Sequence, residues 1–241
     1  VLGAATDRTR IALIDHITSL TGMVMPIERL VRELSERGVE TVVDGAHGPG
    51  MLPLDISGIA PAYYTGNCHK WLMAPKGSAF LYARREHHDW IEPLVVSWGY
   101  ESEAEFSSGS RFIDYHQWQG TRDLAAFLAT SAAIEFQREH TWDAVGDRCH
   151  HLVRDIRRRV NAITGLDPIC PETSQWFRQM SAIRMPQVDV QAFQNQLWEE
   201  YRIEVPVLRW NGIPLIRVSI QGYNNQSDGD ALVAALEELL L

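Results

Sequence analysis

Val39-Glu40-Thr41-Val42-Val43-Asp44, running into Gly45-Ala46-His47-Gly48-Pro49-Gly50, is the stretch whose reading settles the fold. Its first half is rich in β-branched residues and ends on a carboxylate, as a strand does at its carboxyl end. Its second half packs three glycines and a proline into a tight turn. Upstream, Pro26 suits the first turn of a helix. Ile27, Leu30, Val31 and Leu34 keep helical spacing, and Gly38 stops it. Before that helix, Ile11-Ala12-Leu13-Ile14 is a continuous apolar run of the kind found in buried parallel strands. Strand, helix and strand in this order predict a right-handed parallel crossover. Downstream, Ala62 to Thr65 and Ser78 to Ala83 supply two more strands.

The remainder reads less regularly at first. Residues 86–118 look irregular, with Trp98-Gly99-Tyr100 and Ser107-Ser108-Gly109-Ser110 among them. A long helix is expected from about Leu124 to Glu139, and another from Trp142 to about Ile163. Strands follow near Met180–Met185, Ile203–Leu208 and Leu215–Ile220, with helices over Val190–Tyr201 and Asp228–Leu240. The pattern is α/β over residues 1–140 and a smaller α+β unit over 141–241. There is no internal repeat and no low-complexity tract.

Composition narrows the function. The chain has 241 residues, 45% hydrophobic and 22% charged, which is ordinary globular composition with room for a sizeable core. A net charge of −9 argues against a nucleic-acid or anionic-membrane surface. Three cysteines at unrelated spacings give no disulfide framework, so a reducing, cytoplasmic setting is expected. No apolar run approaches the roughly 18 residues of a membrane span, and no signal segment is visible. The first residue is Val rather than Met, which suggests a processed, cleaved or truncated chain.

In a parallel α/β sheet, chemistry gathers at the carboxyl ends of the strands. Asp44 falls there, and so does Lys70, in the string Tyr63-Tyr64-Thr65-Gly66-Asn67-Cys68-His69-Lys70-Trp71. Each residue alone has a bland explanation: Asp44 caps a turn, His47 is a surface histidine, and Lys70 snorkels to water. Together they form a set that pyridoxal 5'-phosphate (PLP) uses: an amine for a Schiff base, a carboxylate for the pyridinium nitrogen and donors for a phosphate. Other candidates are weaker. His87-His88 and Cys149-His150-His151 lack a second ligand pair at metal-binding spacing. The Gly66–Lys70 turn is not a P-loop, because the spacing Gly-x-x-x-x-Gly-Lys-Ser/Thr is absent. Asn224 to Asp228 reads as a loop and helix cap. Trp98, Tyr100, Arg111 and Tyr115 fit a substrate mouth or core packing equally well.

These motifs resemble the class V aminotransferase family of PLP enzymes, of fold type I. Asp44 to Gly50 resembles that family's Asp turn, and Gly66 to Lys70 with Pro75-Lys76-Gly77-Ser78 its Lys segment. Gly-Asn-Cys-His-Lys-Trp is similar to the isopenicillin N epimerase-like branch. The likeness continues through Gln119-Gly120-Thr121-Arg122-Asp123 to Ile216-Arg217-Val218-Ser219. One departure is that Asn67 and Cys68 stand where the broad family has small residues.

The resemblance implies a partial three-layer PLP-dependent transferase large domain, with a mostly parallel sheet, and a smaller α+β C-terminal domain. It also implies roles. Lys70 forms the Schiff base and then moves the α-proton. Asp44 keeps the ring nitrogen protonated, and His47 reaches the phenolic oxygen. His69 and Asn67 face the phosphate. Thr121, after Gly120, reaches the phosphate of a partner subunit's cofactor, so a homodimer is expected. Arg217 clamps the carboxylate of an amino-acid substrate; by its residues alone it could also be a strand-surface ion pair. The family's phosphate loop and ring-stacking aromatic are expected before residue 1, in an N-terminal segment this chain lacks. The reaction stays open among transamination, epimerisation and elimination, including a PLP-dependent C–S lyase. Cysteine desulfuration is disfavoured, because Cys68 sits in a tight turn and Cys149 and Cys170 lie in or just after a helix. The contrasting expectation is a truncated, cofactor-free fragment without catalysis.

Overall fold

The computed structural model describes residues 1–102 and 104–241. The first part of the chain runs β1 (Ile11–Asp15), α1 (Ile27–Ser35), β2 (Glu40–Asp44), α2 (Ile56–Ile59), β3 (Tyr63–Asn67) and β4 (Ala79–Ala83). The sheet order is β1-β2-β3-β4. β1, β2 and β3 are parallel, with Asp15 level with Asp44 and Asp44 level with Thr65, while β4 runs antiparallel to β3. α1 buries Ile27, Leu30, Val31 and Leu34, the residues whose spacing predicts it, and Gly38 turns the chain at φ +71°. This face packs with Ile14, Val43, Ile59 and Tyr64 into one apolar cluster.

β1 departs from expectation. Its continuous apolar run predicts a strand buried on both faces, but Leu13 is 75% and Ile11 56% exposed, while Ile14 is buried. α1 covers only one face of the sheet, and side chains alternate between faces along a strand.

The segment 86–118 is more ordered than its sequence suggests. It holds single-turn helical segments at Arg85–His87 and Ala104–Phe106, and a helix α3 (Arg111–Gln117) whose N-cap Ser110 accepts from the Ile113 N–H. α3 buries none of its residues, so it shows no apolar stripe to read. The long helix expected next is divided into α4 (Ala125–Leu128) and α5 (Thr130–Glu139), with Ala129 between them still right-handed helical.

The second part contains α6 (Trp142–Thr164), β5 (Met180–Arg184), α7 (Val190–Tyr201), β6 (Val207–Trp210), β7 (Ile213–Ser219) and α8 (Gln226–Leu240). Its sheet is antiparallel, in the order β5-β7-β6. β6 starts later than the expected Ile203: it begins directly after Pro206, which has no N–H to pair. Asn211 and Gly212, both at positive φ, then make the tight hairpin into β7. Asp189 caps α7 through two backbone N–H groups. Asn225 and Asp228 form a capping box on α8, as the Asn-rich loop suggested. α6 and α8 bury Val153, Ile156, Leu232 and Leu236 against Ile183, Ile216 and Val218 of the sheet.

The segment after β1 stitches the two sheets together. The Ala182 N–H donates to the Thr21 carbonyl, and Val24 N–H to that of Trp176. A Cβ on Gly22 would stand 2.6 Å from the Met180 carbonyl oxygen, so this approach requires glycine. Ile17, Met51, Trp71 and Met180 close the joint with a small apolar cluster. Among the described residues, no helix is long and apolar enough to cross a membrane.

Candidate active site

The site begins where β2 ends. Asp44 is half-buried, and its Oδ1 accepts from the Ala46 N–H at 2.9 Å, which folds the following turn back over the strand end. Gly48 N–H closes that turn on the Gly45 carbonyl at 2.8 Å. Beneath it lies the Tyr64 ring, fully buried on β3. Cβ atoms on Gly45 and Gly48 would stand 2.1 and 2.5 Å from Tyr64 atoms, so the close stacking of turn on ring explains both glycines. The Tyr64 hydroxyl meets His16 Nδ1 at 2.9 Å. Burial, with the Asp44 charge as the second cause, pushes that hydroxyl's pKa up. Burial pushes His16 down to about 4, so this pair is neutral at pH 7.

The turn presents His47 to the Lys70 segment. His47 Nε2 lies 3.3 Å from Lys70 Nζ, and His47 Nδ1 accepts from the Trp71 indole N–H at 3.1 Å. Lys70 is half-buried; desolvation lowers its pKa, with Asp44 acting upward and Arg217 downward. His47 is held at about 4, first by desolvation and then by the cations Lys70 and Arg217. Arg217 comes from the other sheet, where its β7 position pairs with Ala182 of β5. Desolvation lowers its pKa as well. Its Nη1 donates to the Ser19 carbonyl, while its Nε is buried without a hydrogen-bond partner among the described residues. It makes no ion pair with a carboxylate there, so the alternative of a strand-surface ion pair falls away among those residues.

The structure therefore brings together Lys70, Asp44, His47 and Arg217, each named from sequence. His69 stands beside them in the chain, with Nδ1 bonded to the Ser78 carbonyl at 3.1 Å. Asn67 is half-buried at the end of β3. Thr121 is not gathered in: it is exposed in the loop between α3 and α4, after Gly120 at φ +99°. The residues that sequence reasoning missed are Trp71, Tyr64 and His16. His16 carried one signal, its place just beyond the carboxyl end of the strand level with Asp44. Trp71 also receives two glutamines on its carbonyl, Gln137 at 2.9 Å and Gln221 at 3.5 Å.

This donor set suits an anionic, ring-shaped cofactor. Two partly desolvated basic side chains, Lys70 and Arg217, stand with the Asp44 carboxylate acting on Lys70, and a guanidinium N–H is left without an acceptor among the described residues. The sequence model of the class-V aminotransferases matches residues 2–232. The chain belongs to the class-V aminotransferase family. The cofactor this implies is pyridoxal 5'-phosphate. The chain is 38% identical to the isopenicillin N epimerase of Amycolatopsis lactamdurans, over 99% of this chain and 63% of that protein. It is 32% identical to a probable chloroplastic L-cysteine desulfhydrase of Arabidopsis thaliana, over 97% of this chain and 51% of that protein. In fold it is similar to the apo cysteine desulfurase of Thermococcus onnurineus NA1, with a TM-score of 0.79 at 18% identity, covering 96% of this chain and 60% of the other. The chain thus spans about half to two thirds of the length of these class-V relatives.

Proposed function

We propose that this chain carries the reactive lysine of a PLP-dependent enzyme acting on the amino group or α-carbon of an amino acid, by epimerisation or transamination. The observation that carries this is the convergence of Arg217 of β7 on Lys70, His47 and Asp44 beyond the ends of β2 and β3, with no carboxylate within ion-pair distance of Lys70 or Arg217 among the described residues. When bound, the cofactor supplies an electron sink for the carbon next to the substrate's amino group.

The chain's own residues do the rest. Burial lowers the Lys70 pKa, so its amine spends more time as the free base, able to bond to an aldehyde carbon and later to take or return a proton at the α-carbon. Asp44, fixed by the Ala46 N–H, offers its carboxylate to the protonated ring nitrogen. His47 presents an N–H to the ring oxygen. His69 and Asn67 are proposed for the phosphate, and Thr121 for the phosphate at a neighbouring subunit's site. Arg217 offers a planar fork to the α-carboxylate. In this reading residues 1–140 form the PLP-binding part, residues 141–241 form the smaller domain that supplies Arg217, and the protein works in the cytoplasm as a homodimer.

A second reading is a PLP-dependent C–S lyase, supported by the likeness to the desulfhydrase. Persulfide chemistry of the desulfurase kind has less support. All three cysteines are buried, and burial pushes the Cys149 and Cys170 thiols up, away from the reactive thiolate. The test is to incubate the complete protein with PLP, reduce with borohydride and map the modified peptide, then screen amino acids in deuterium oxide. Pyridoxyl label on Lys70 and deuterium at the α-carbon are expected. Sulfide release from cysteine selects the lyase, and an unlabelled Lys70 refutes the PLP reading.

A further inference from the structure

His47 stands between two nitrogen partners, and the chemistry of one decides the other. The Trp71 indole N–H can only donate, and it points at His47 Nδ1 from 3.1 Å. Nδ1 must therefore hold a lone pair. A neutral imidazole whose Nδ1 is the acceptor carries its proton on Nε2. Nε2 is the nitrogen that faces Lys70 Nζ at 3.3 Å. An ammonium has three donors and no acceptor, so a charged Lys70 there would set N–H against N–H. One protonation state satisfies both contacts: a neutral His47 with Nε2–H, donating to a free-base Lys70.

The geometry that enforces this is rigid. Trp71 is buried, and two glutamines hold its carbonyl, one from α5 and one after β7. Gly50, at φ +80°, lets the His47 turn lie directly on the Trp71 backbone: a Cβ there would come within 2.5 Å of it. The titratable groups that bear on His47 are Lys70, Arg217 and Asp44; positive charge on either of the first two opposes an imidazolium and the carboxylate favours it.

We infer that Trp71 is a positioning residue that fixes His47 as the Nε2–H tautomer, so that His47 turns a donor rather than an acceptor toward Lys70 and toward any oxygen bound beside it. A donor at that point favours an oxygen carrying negative charge and leaves Lys70 uncharged for bond formation. The statement about the bound oxygen rests on the PLP reading; the tautomer does not.

The test uses protein labelled with ¹⁵N-histidine, first cofactor-free and then with PLP. The His47 signals are assigned by their loss in His47→Gln. At neutral pH the wild type should show a protonated-type shift at Nε2 and a lone-pair shift at Nδ1. Trp71→Phe keeps the apolar ring and removes the N–H. Its Nδ1 signal should move upfield toward the protonated value as the second tautomer fills, and Lys70 should titrate at higher pH because Nε2 can then accept from its ammonium. A proton on Nδ1 in the wild type, or unchanged His47 shifts in Trp71→Phe, overturns the inference. If Trp71→Phe does not fold, the wild-type spectrum decides alone. Borohydride labelling separates the two readings: an unlabelled Lys70 with an Nε2–H His47 removes the PLP reading and upholds the tautomer.

Discussion

Replacing Arg217 with Lys removes the planar fork and keeps the charge. Among the described residues the Arg217 side chain makes one hydrogen bond, to the Ser19 carbonyl, and no ion pair. A neutral-acceptor hydrogen bond of this kind is worth about 0.5–1.5 kcal/mol, and a lysine can remake part of it. Folding stability should therefore change by no more than about 1 kcal/mol. Substrate binding should change more. In the proposed complex the guanidinium, including the buried Nε that has no partner, gives a carboxylate two parallel bonds. Lysine supplies one point charge. Hydrogen bonds to charged groups put the difference at about 1–3 kcal/mol, roughly 5- to 150-fold in affinity. Titrating amino-acid analogues against wild type and Arg217→Lys, with cofactor occupancy followed by visible absorbance, measures it. Equal analogue affinity, or cofactor loss as large as analogue loss, would show that Arg217 is structural and refute the reasoning.

Four further outcomes are expected. Lys70→Ala in the complete protein should abolish turnover and borohydride-fixed cofactor; a variant with ordinary activity would sink the assignment. Gly45→Ala drives a methyl to within 2.1 Å of the Tyr64 ring, which is 0% exposed and cannot yield, so unfolding free energy should fall by about 1–3 kcal/mol in urea; the companion Tyr64→Leu should relieve part of that loss, and additive losses would contradict the clash. His16 and His47 lie at about 4 against an ordinary value of 6.5, so the unfolded chain binds more protons across that window. Stability should accordingly be full above pH 6.5 and fall as the pH drops toward about 4, and a urea midpoint that stays level over that range would refute the burial of both rings. Finally, if Thr121 serves a neighbouring subunit's cofactor, sedimentation should show a two-fold dimer, and a fully active monomer would contradict that role.

The strands and helices were legible where local signals were strong. The β2 run of Thr41-Val42-Val43 before a glycine-rich turn, and the Ile27–Leu34 spacing of α1, each name their element within a few residues. α3 was not legible because it buries nothing, and β6 was displaced because Pro206 denies the ladder a donor. Lys70, Asp44 and His47 could be named because strand-end turns announce themselves in sequence. The supports could not. Tyr64 and His16 meet across 48 positions, and the Gln221 contact to Trp71 spans 150. Only the folded chain reveals which glutamine or tyrosine lies under which turn.

The charge distribution supplies the last step. Lys70 and Arg217 are both partly desolvated, Arg217 disfavours positive charge on Lys70, and Asp44 favours it. A core under selection for stability alone would pair such groups or replace them with apolar side chains, since an unpaired desolvated charge opposes folding. Here the rest of the site is built tightly: Asp44 is capped, His47 is held on both nitrogens, and Trp71 is fixed through its ring and its carbonyl. Tight supports around a lysine eased toward its free base and a guanidinium with no internal carboxylate partner among the described residues suit a site that binds an anionic ligand. In the proposed complex a phosphate and an amino-acid carboxylate would bring negative charge to this cluster, and Asp44 would face the protonated ring nitrogen.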